Sequence, residues 1–213
     1  MTVSNLDLAS LLCSRLCHDL LSPVGALSNG LELLAEEKDP EMRKHCLALL
    51  EQSAKISADK LKFFRLAFGA AGGMGDSVPA AEARALVDAL AGNNERVQLV
   101  WALGVDSLPK AAAKVMLNLA LIGMDALVRG GTLEIGAEMR QGATEIAVRA
   151  AGPRIAFDQT IGQALEGKLP EAELSSRTAP AAMLHMLASG SGGGLQYALS
   201  PEALVMGAVL PLG

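Results

Sequence analysis

The run His18-Asp19-Leu20-Leu21-Ser22-Pro23 sets an imidazole beside a carboxylate, with a proline five residues after the histidine. A neutral imidazole nitrogen is nucleophilic near pH 7, and an adjacent carboxylate can hydrogen-bond the ring or help to remove its proton. His18 and Asp19 are therefore the candidate reacting pair. A lone helical histidine is ordinarily a surface residue, and His45 and His185 carry no supporting pattern. His18 differs in its surroundings. On a helical wheel with Leu16 as zero, Leu12, Leu20, Leu27, Leu31 and Leu34 fall within about 60° of Leu16, whereas His18 lies about 200° away. Ser14 and Ser22 sit one turn to either side of it and Gly25 two turns on, so another protein can approach closely. Leu11 and Leu21 stray onto this outer face and supply the apolar edge of a docking patch. With Arg15 these residues are the candidate partner-binding set. Pro23 inside a helix costs about 3 kcal/mol and removes the N–H that the Asp19 carbonyl would accept, so a kink is expected there. A local rule broken beside a suspect histidine points to function. Cys13, Cys17 and His18 form C-x3-C-H, not the C-x2-C-H of haem attachment, and both cysteines are expected near the buried side, so no metal or haem is assigned.

Two long helices, over 6–35 and 40–68, must position this histidine. Asp39 suits an N-cap and Pro40 the first helical position. The second helix has its own stripe: Met42, Cys46, Leu49, Leu50, Ser53, Ile56, Ser57, Leu61, Phe64 and Phe68. A hairpin buries only one side of each helix, which predicts pairing with a second copy as a four-helix bundle. Glycines at 69, 72, 73 and 75 mark a flexible boundary. The expected organisation is a helical hairpin over 1–70, a linker over 71–77 and a second domain over 78–213. In that domain, helical patterns at 79–91, 109–128 and 179–189 alternate with strand-like runs at 96–101, 132–135, 145–148, 195–199 and 203–206. Short links at 136–143 and 200–202 predict hairpins, hence a mixed or antiparallel sheet with helices on one face. The fold class is α+β: an antiparallel helical hairpin forming a dimeric bundle, followed by an α/β sandwich.

Composition narrows the functions available. The 213 residues are 51% apolar and only 3% aromatic, so the core is built from Leu, Ala, Val and Met. Eighteen basic against 23 acidic side chains give a net charge of −5, which leaves no electrostatic footprint for nucleic acid. No apolar run reaches the roughly 18 residues of a membrane span, and Asn5 and Asp7 interrupt any signal-like start. Three cysteines, an odd number, fit a reducing cytosol. The expectation is a soluble cytoplasmic protein with no nucleic-acid or membrane partner.

His18-Asp19-Leu20-Leu21-Ser22-Pro23 resembles the H-box of two-component histidine kinases, His-Asp/Glu-Leu-x-x-Pro, and the hairpin resembles their dimerisation and phosphotransfer domain. The wider stretch from Leu12 to Pro23, with Arg65-Leu66-Ala67-Phe68-Gly69 closing the second helix, is similar to the histidine phosphotransferases of the alphaproteobacterial cell-cycle phosphorelay. By this resemblance the second half is a kinase ATPase-like (Bergerat-like) domain with its ligand site degraded. Ala150 stands where kinases read adenine with aspartate, and Arg154 where their motif ends in glycine. Asn118 of the asparagine box remains, but Ile122 occupies the usual Mg²⁺-binding asparagine position, and 176–181 contains no glycine. A methyl group cannot accept the adenine amino proton, an isoleucine cannot ligate a hard cation, and a glycine-free segment cannot wrap a triphosphate.

The resemblance implies a phosphotransferase in which His18 Nε2 accepts a phosphoryl group from an aspartyl-phosphate receiver domain. It implies no cofactor bound by this chain, with Mg²⁺ supplied by the partner receiver. The implied partners are a second copy, the receiver of a hybrid histidine kinase as donor, and CtrA-like and CpdR-like response-regulator receivers as acceptors. Two other readings compete: an active histidine kinase with divergent ATP motifs, and a non-catalytic dimeric scaffold that binds receivers. The second domain either covers the end of the bundle or adds a contact surface for the receiver.

Overall fold

The computed structural model describes residues 4–69, 76–93 and 96–212. Helix α1 (Asn5–Glu36) and helix α2 (Pro40–Ala67) form a hairpin. Gly30 lies against Leu50 and Lys60 reaches Asp19, an antiparallel register. The caps explain the boundaries. The Ser4 hydroxyl accepts from the Asp7 N–H at 3.1 Å, and the Asp39 carboxylate accepts from the Met42 N–H at 2.9 Å with Pro40 in the first turn. In the link, the Glu37 carboxylate accepts from the N–H groups of Lys38 and Asp39. The Arg43 guanidinium donates to the Leu34 and Glu37 carbonyls, serving acceptors that the end of α1 leaves without helical donors. Pro23 does not end α1.

The hairpin leaves part of its apolar surface open. Leu31, Met42, Leu49 and Leu61, all in the expected stripes, are exposed, as is Val24. Cys13 and Cys17 are also exposed, contrary to the buried placement the wheel suggested. They share the sector about 60–100° from Leu16 with Val24 and Leu31, which one hairpin alone does not cover.

Of the expected linker, 71–75 lie outside the described residues. Ser77 opens β1 (Ser77–Pro79), followed by α3 (Ala80–Ala91). After β2 (Val97–Leu103), the sequence repeats the device: β3 (Ser107–Pro109) runs into α4 (Lys110–Ala126). Asp76-Ser77-Val78-Pro79 and Asp106-Ser107-Leu108-Pro109 are near-copies, and β1 pairs antiparallel with β3. The Ala80 N–H donates to the Asp106 carbonyl at 2.9 Å and the Lys110 N–H to the Asp76 carbonyl at 3.3 Å, so each twin starts the other's helix.

The main sheet adds β4 (Gly131–Arg140), β5 (Ala143–Ala151), β6 (Gly194–Leu199) and β7 (Ala203–Pro211), in the order β2-β4-β5-β7-β6. Only β2 and β4 run parallel. The 136–143 link expected from sequence shrinks to Gln141 and Gly142, with φ of 51° and 77°, the left-handed pair that a two-residue hairpin turn needs. Gly136 and Ala137 have little strand propensity of their own. Gly136 pairs with Ala102 on one side and Ala147 on the other, and that two-sided pairing outweighs propensity.

Helices α3, α4 and α6 (Ala179–Gly190) cover one face of this sheet, with α5 (Gln159–Leu165) beside α6. Helix α4 is central: Met116, Leu117, Leu119 and Ala120 are fully buried. At Gly123 a Cβ would lie 2.6 Å from a Leu133 methyl, so glycine lets α4 settle onto β4. The other face of the sheet is open, with a trough of about 1020 Å³ floored by Ala102, Gly136, Ala147 and Gly207. The core is continuous into the hairpin through Leu8, Phe63, Phe64, Leu66 and Ala67. Among the described residues no helix is long and apolar enough to cross a membrane.

Candidate functional site

His18 projects from the middle of α1 with 83% of its side chain exposed. The wheel placed it opposite the buried stripe, and that is where it stands. Ser14 and Ser22 are exposed on either side, Leu21 is 69% exposed, and nothing lies within 4 Å of where a Gly25 Cβ would be. These four form an open collar around the imidazole. Leu11 is only half exposed, because it packs partly against the common core. Arg15 is not free on the surface either, being drawn into an ion-pair cluster with Asp19 and Asp125.

The proline sets part of the local geometry. Pro23 has no N–H, so the Asp19 carbonyl lacks its helical donor. The Lys60 ammonium of α2 supplies one instead, donating to Asp19 O at 2.8 Å. An orphan acceptor on α1 thus becomes a tie to α2 one residue from the imidazole.

The Asp19 carboxylate is largely buried and works with both oxygens. Arg15 Nε donates to Oδ2 at 2.6 Å. His18 Nδ1 lies 3.2 Å from Oδ1. A carboxylate only accepts, so a neutral ring that makes this contact carries its proton on Nδ1 and keeps the Nε2 lone pair free. The second guanidinium branch of Arg15 reaches Asp125 Oδ2 on α4 at 3.1 Å, across 110 positions of sequence. Burial works to lower the Arg15 pKa, but its bond to Asp19 and the charges of Asp125 and Asp19 outweigh this and raise it. Desolvation pushes the Asp125 carboxyl above the usual carboxylate range, and Arg15 offsets that only in part.

Below this cluster lie some of the positions that the resemblance aligned with kinase nucleotide motifs. A cavity of only about 60 Å³ remains, lined by Arg15, Ile122, Asp125, Phe157, Arg177 and Pro180 among others. Ala150 is fully buried, Ile122 is buried and Arg154 is exposed. Asn118 is fully buried and does not line the cavity. Its side-chain amide donates to Ala67 O at 3.1 Å and Lys114 O at 2.9 Å, so it closes the last turn of α2. Its Oδ1 is sealed from solvent with no hydrogen-bond partner among the described residues. The cavity is small, Ile122 lines it with an aliphatic chain, and Asn118 braces a helix.

Sequence reasoning named His18, Asp19 and the collar as candidates, and it did not name Lys60 or Asp125, which the structure brings beside them. Lys60 had a signal, since the carbonyl four residues before a mid-helix proline needs a donor from elsewhere. Asp125 had none, because only the folded chain brings α4 to α1. His185, given no role, is a packing residue whose Nδ1 lies 3.1 Å from Leu165 O.

Three comparisons bear on this geometry. The family model described as the histidine phosphotransferase C-terminal domain matches residues 80–203. The chain is 33% identical over 208 residues to the protein phosphotransferase ChpT of Brucella abortus (strain 2308), covering 98% of each. A solved structure of a bacterial phosphotransferase superposes with a TM-score of 0.85 at 32% identity, over 98% of both chains. The histidine kinase domain from Erythrobacter litoralis EL346 gives a TM-score of 0.49 at 12% identity over 90% of this chain and 94% of its own.

Proposed function

Because the chain belongs to the histidine phosphotransferase family, we propose that it is a phosphorelay phosphotransferase whose phosphoryl carrier is His18 Nε2. One observation carries this reading: an imidazole 83% exposed, with its Nδ1 engaged by Asp19 and its Nε2 facing solvent. The donor is an aspartyl phosphate on a receiver domain. The Nε2 lone pair attacks phosphorus as the acyl–phosphate P–O bond breaks, and the leaving electron pair returns to the receiver's aspartate. The ring keeps its Nδ1 proton and becomes cationic, and the Asp19 carboxylate 3.2 Å away stabilises that charge. Transfer onward runs the same steps in reverse to a second receiver. Mg²⁺ and charge-neutralising groups come from the receiver; this chain contributes position, a nucleophile fixed on a rigid helix.

The collar of Ser14, Leu21, Ser22 and Gly25 is the docking surface, with Leu21 its apolar contact. Donor and acceptors are the receiver of a hybrid kinase and response-regulator receivers of the CtrA-like and CpdR-like kinds. The exposed Val24, Leu31, Met42, Leu49 and Leu61 support a homodimer through the hairpin. The residual cavity of about 60 Å³ and the braced Asn118 support transfer without ATP. A cytoplasmic location goes with this role.

The test supplies a receiver domain carrying labelled aspartyl phosphate. Label should move to wild-type protein and from it to a second receiver, while His18→Gln takes none and keeps the wild-type melting curve. Labelling from ATP and Mg²⁺ alone, or relay through His18→Gln, would overturn the proposal.

A further inference from the structure

In water an imidazole carries its proton preferentially on Nε2, the nitrogen that must attack here. Asp19 reverses that preference, yet it is poorly placed to do so unaided. Consecutive helical residues point about 100° apart, and a free aspartate has rotamers that leave the ring. What holds the carboxylate toward His18 is Arg15 Nε on its other oxygen at 2.6 Å. Arg15 is itself a long side chain with many rotamers. It is pinned from outside the hairpin, by Asp125 of α4 at 3.1 Å. Its planar guanidinium thereby bridges two carboxylates on two elements in one fixed orientation. The pair nearest the ring is screened from solvent, Arg15 being 18% and Asp19 14% exposed, while Asp125 at 57% is the outer anchor.

We propose that Asp125, acting through Arg15, is a positioning residue that holds Asp19 on His18 Nδ1 and so keeps Nε2 the unprotonated, phosphoryl-accepting nitrogen. This gives the C-terminal domain a part in the chemistry: it sets the tautomer of a histidine that it does not touch. The inference rests on His18 being the phosphoryl carrier, but its first readout does not need any phosphoryl transfer.

The experiment uses the full chain as wild type, Asp125→Ala, Asp125→Glu and Arg15→Met. Nitrogen-15 spectra of the His18 ring in unphosphorylated protein report which nitrogen holds the proton. Single-turnover transfer from a phosphorylated receiver, with receiver affinity measured separately, reports the consequence. In Asp125→Ala the Nδ1–H population should fall. Its transfer rate should drop by roughly two- to fivefold, the change expected on losing a partly exposed ion pair. Receiver affinity should stay within a factor of about two of wild type. Arg15→Met should reproduce the tautomer change by a second route, and Asp125→Glu should restore both readouts. An unchanged tautomer population in Asp125→Ala would overturn the proposal, and so would a rate loss explained wholly by weaker receiver binding. If wild-type protein accepts no label from any receiver, the carrier assignment fails, and the tautomer measurement still decides whether Asp125 governs the ring.

Discussion

Pro23 takes one donor from the backbone and Lys60 gives one back, so the two residues form a single unit although they lie on different helices. Lys60→Met leaves the Asp19 carbonyl short of a partner in a half-buried setting and should cost about 1–3 kcal/mol in urea unfolding. Pro23→Ala restores the helical N–H, and in that background Lys60→Met should cost well under half as much. Equal costs in both backgrounds would show that the lysine does not serve this carbonyl. The same unit shows what was legible at this scale. His18 and Asp19 could be read from adjacency, wheel position and the proline. Lys60 follows from the proline once a facing helix is assumed. Asp125 was not read, since what singles it out is a contact with Arg15 across 110 positions of sequence that only the folded chain makes.

Among the elements, those whose ends carry their own chemistry were the most legible. Asp39-Pro40 announces α2, and the cap forms as expected. Helix α5 went unseen: it has seven residues, and its one signal is the Asp158 cap, whose carboxylate accepts from the Thr160 N–H at 3.0 Å. That backbone bond and the Thr160 hydroxyl hold the Asp158 carboxyl below the usual carboxylate range. A depressed folded value means the cap's contribution is complete above the unfolded aspartate value and is lost as pH falls through the folded one. Asp158→Ala should therefore cost about 1 kcal/mol at pH 7, and the difference from wild type should shrink away as pH falls below the usual carboxylate range. A difference that persists there would mean the carboxylate is not the source. The small strands β1 and β3 went unseen, because each is three residues long and its Asp-Ser-x-Pro run gains meaning only by pairing with its twin. Strand lengths in the main sheet were underestimated where Gly136 and Ala137 supply pairing without propensity.

At the scale of the whole molecule, the apolar residues that the isolated chain leaves in water are the prediction. Leu31→Glu and Leu49→Glu put charge into the proposed bundle seam and should shift sedimentation from dimer to monomer, while helicity at equal protein concentration stays close to wild type. A dimer that survives both changes would place the interface elsewhere. The joint between the two halves rests on Asn118, whose amide closes α2 from within α4. Asn118→Ala should destabilise the chain by about 1–3 kcal/mol, because the Ala67 carbonyl would be buried without a donor. This brace also governs what can be engineered. Grafting Asp at 150, Gly at 154, Asn at 122 and glycines into 176–181 would rewrite the letters that the kinase resemblance finds missing, yet Asn118, already present, is spent as carpentry. Anyone converting this scaffold to burn nucleotide must first find the second helix a new mooring, or the gain in fuel will be cancelled by the loss of the hull.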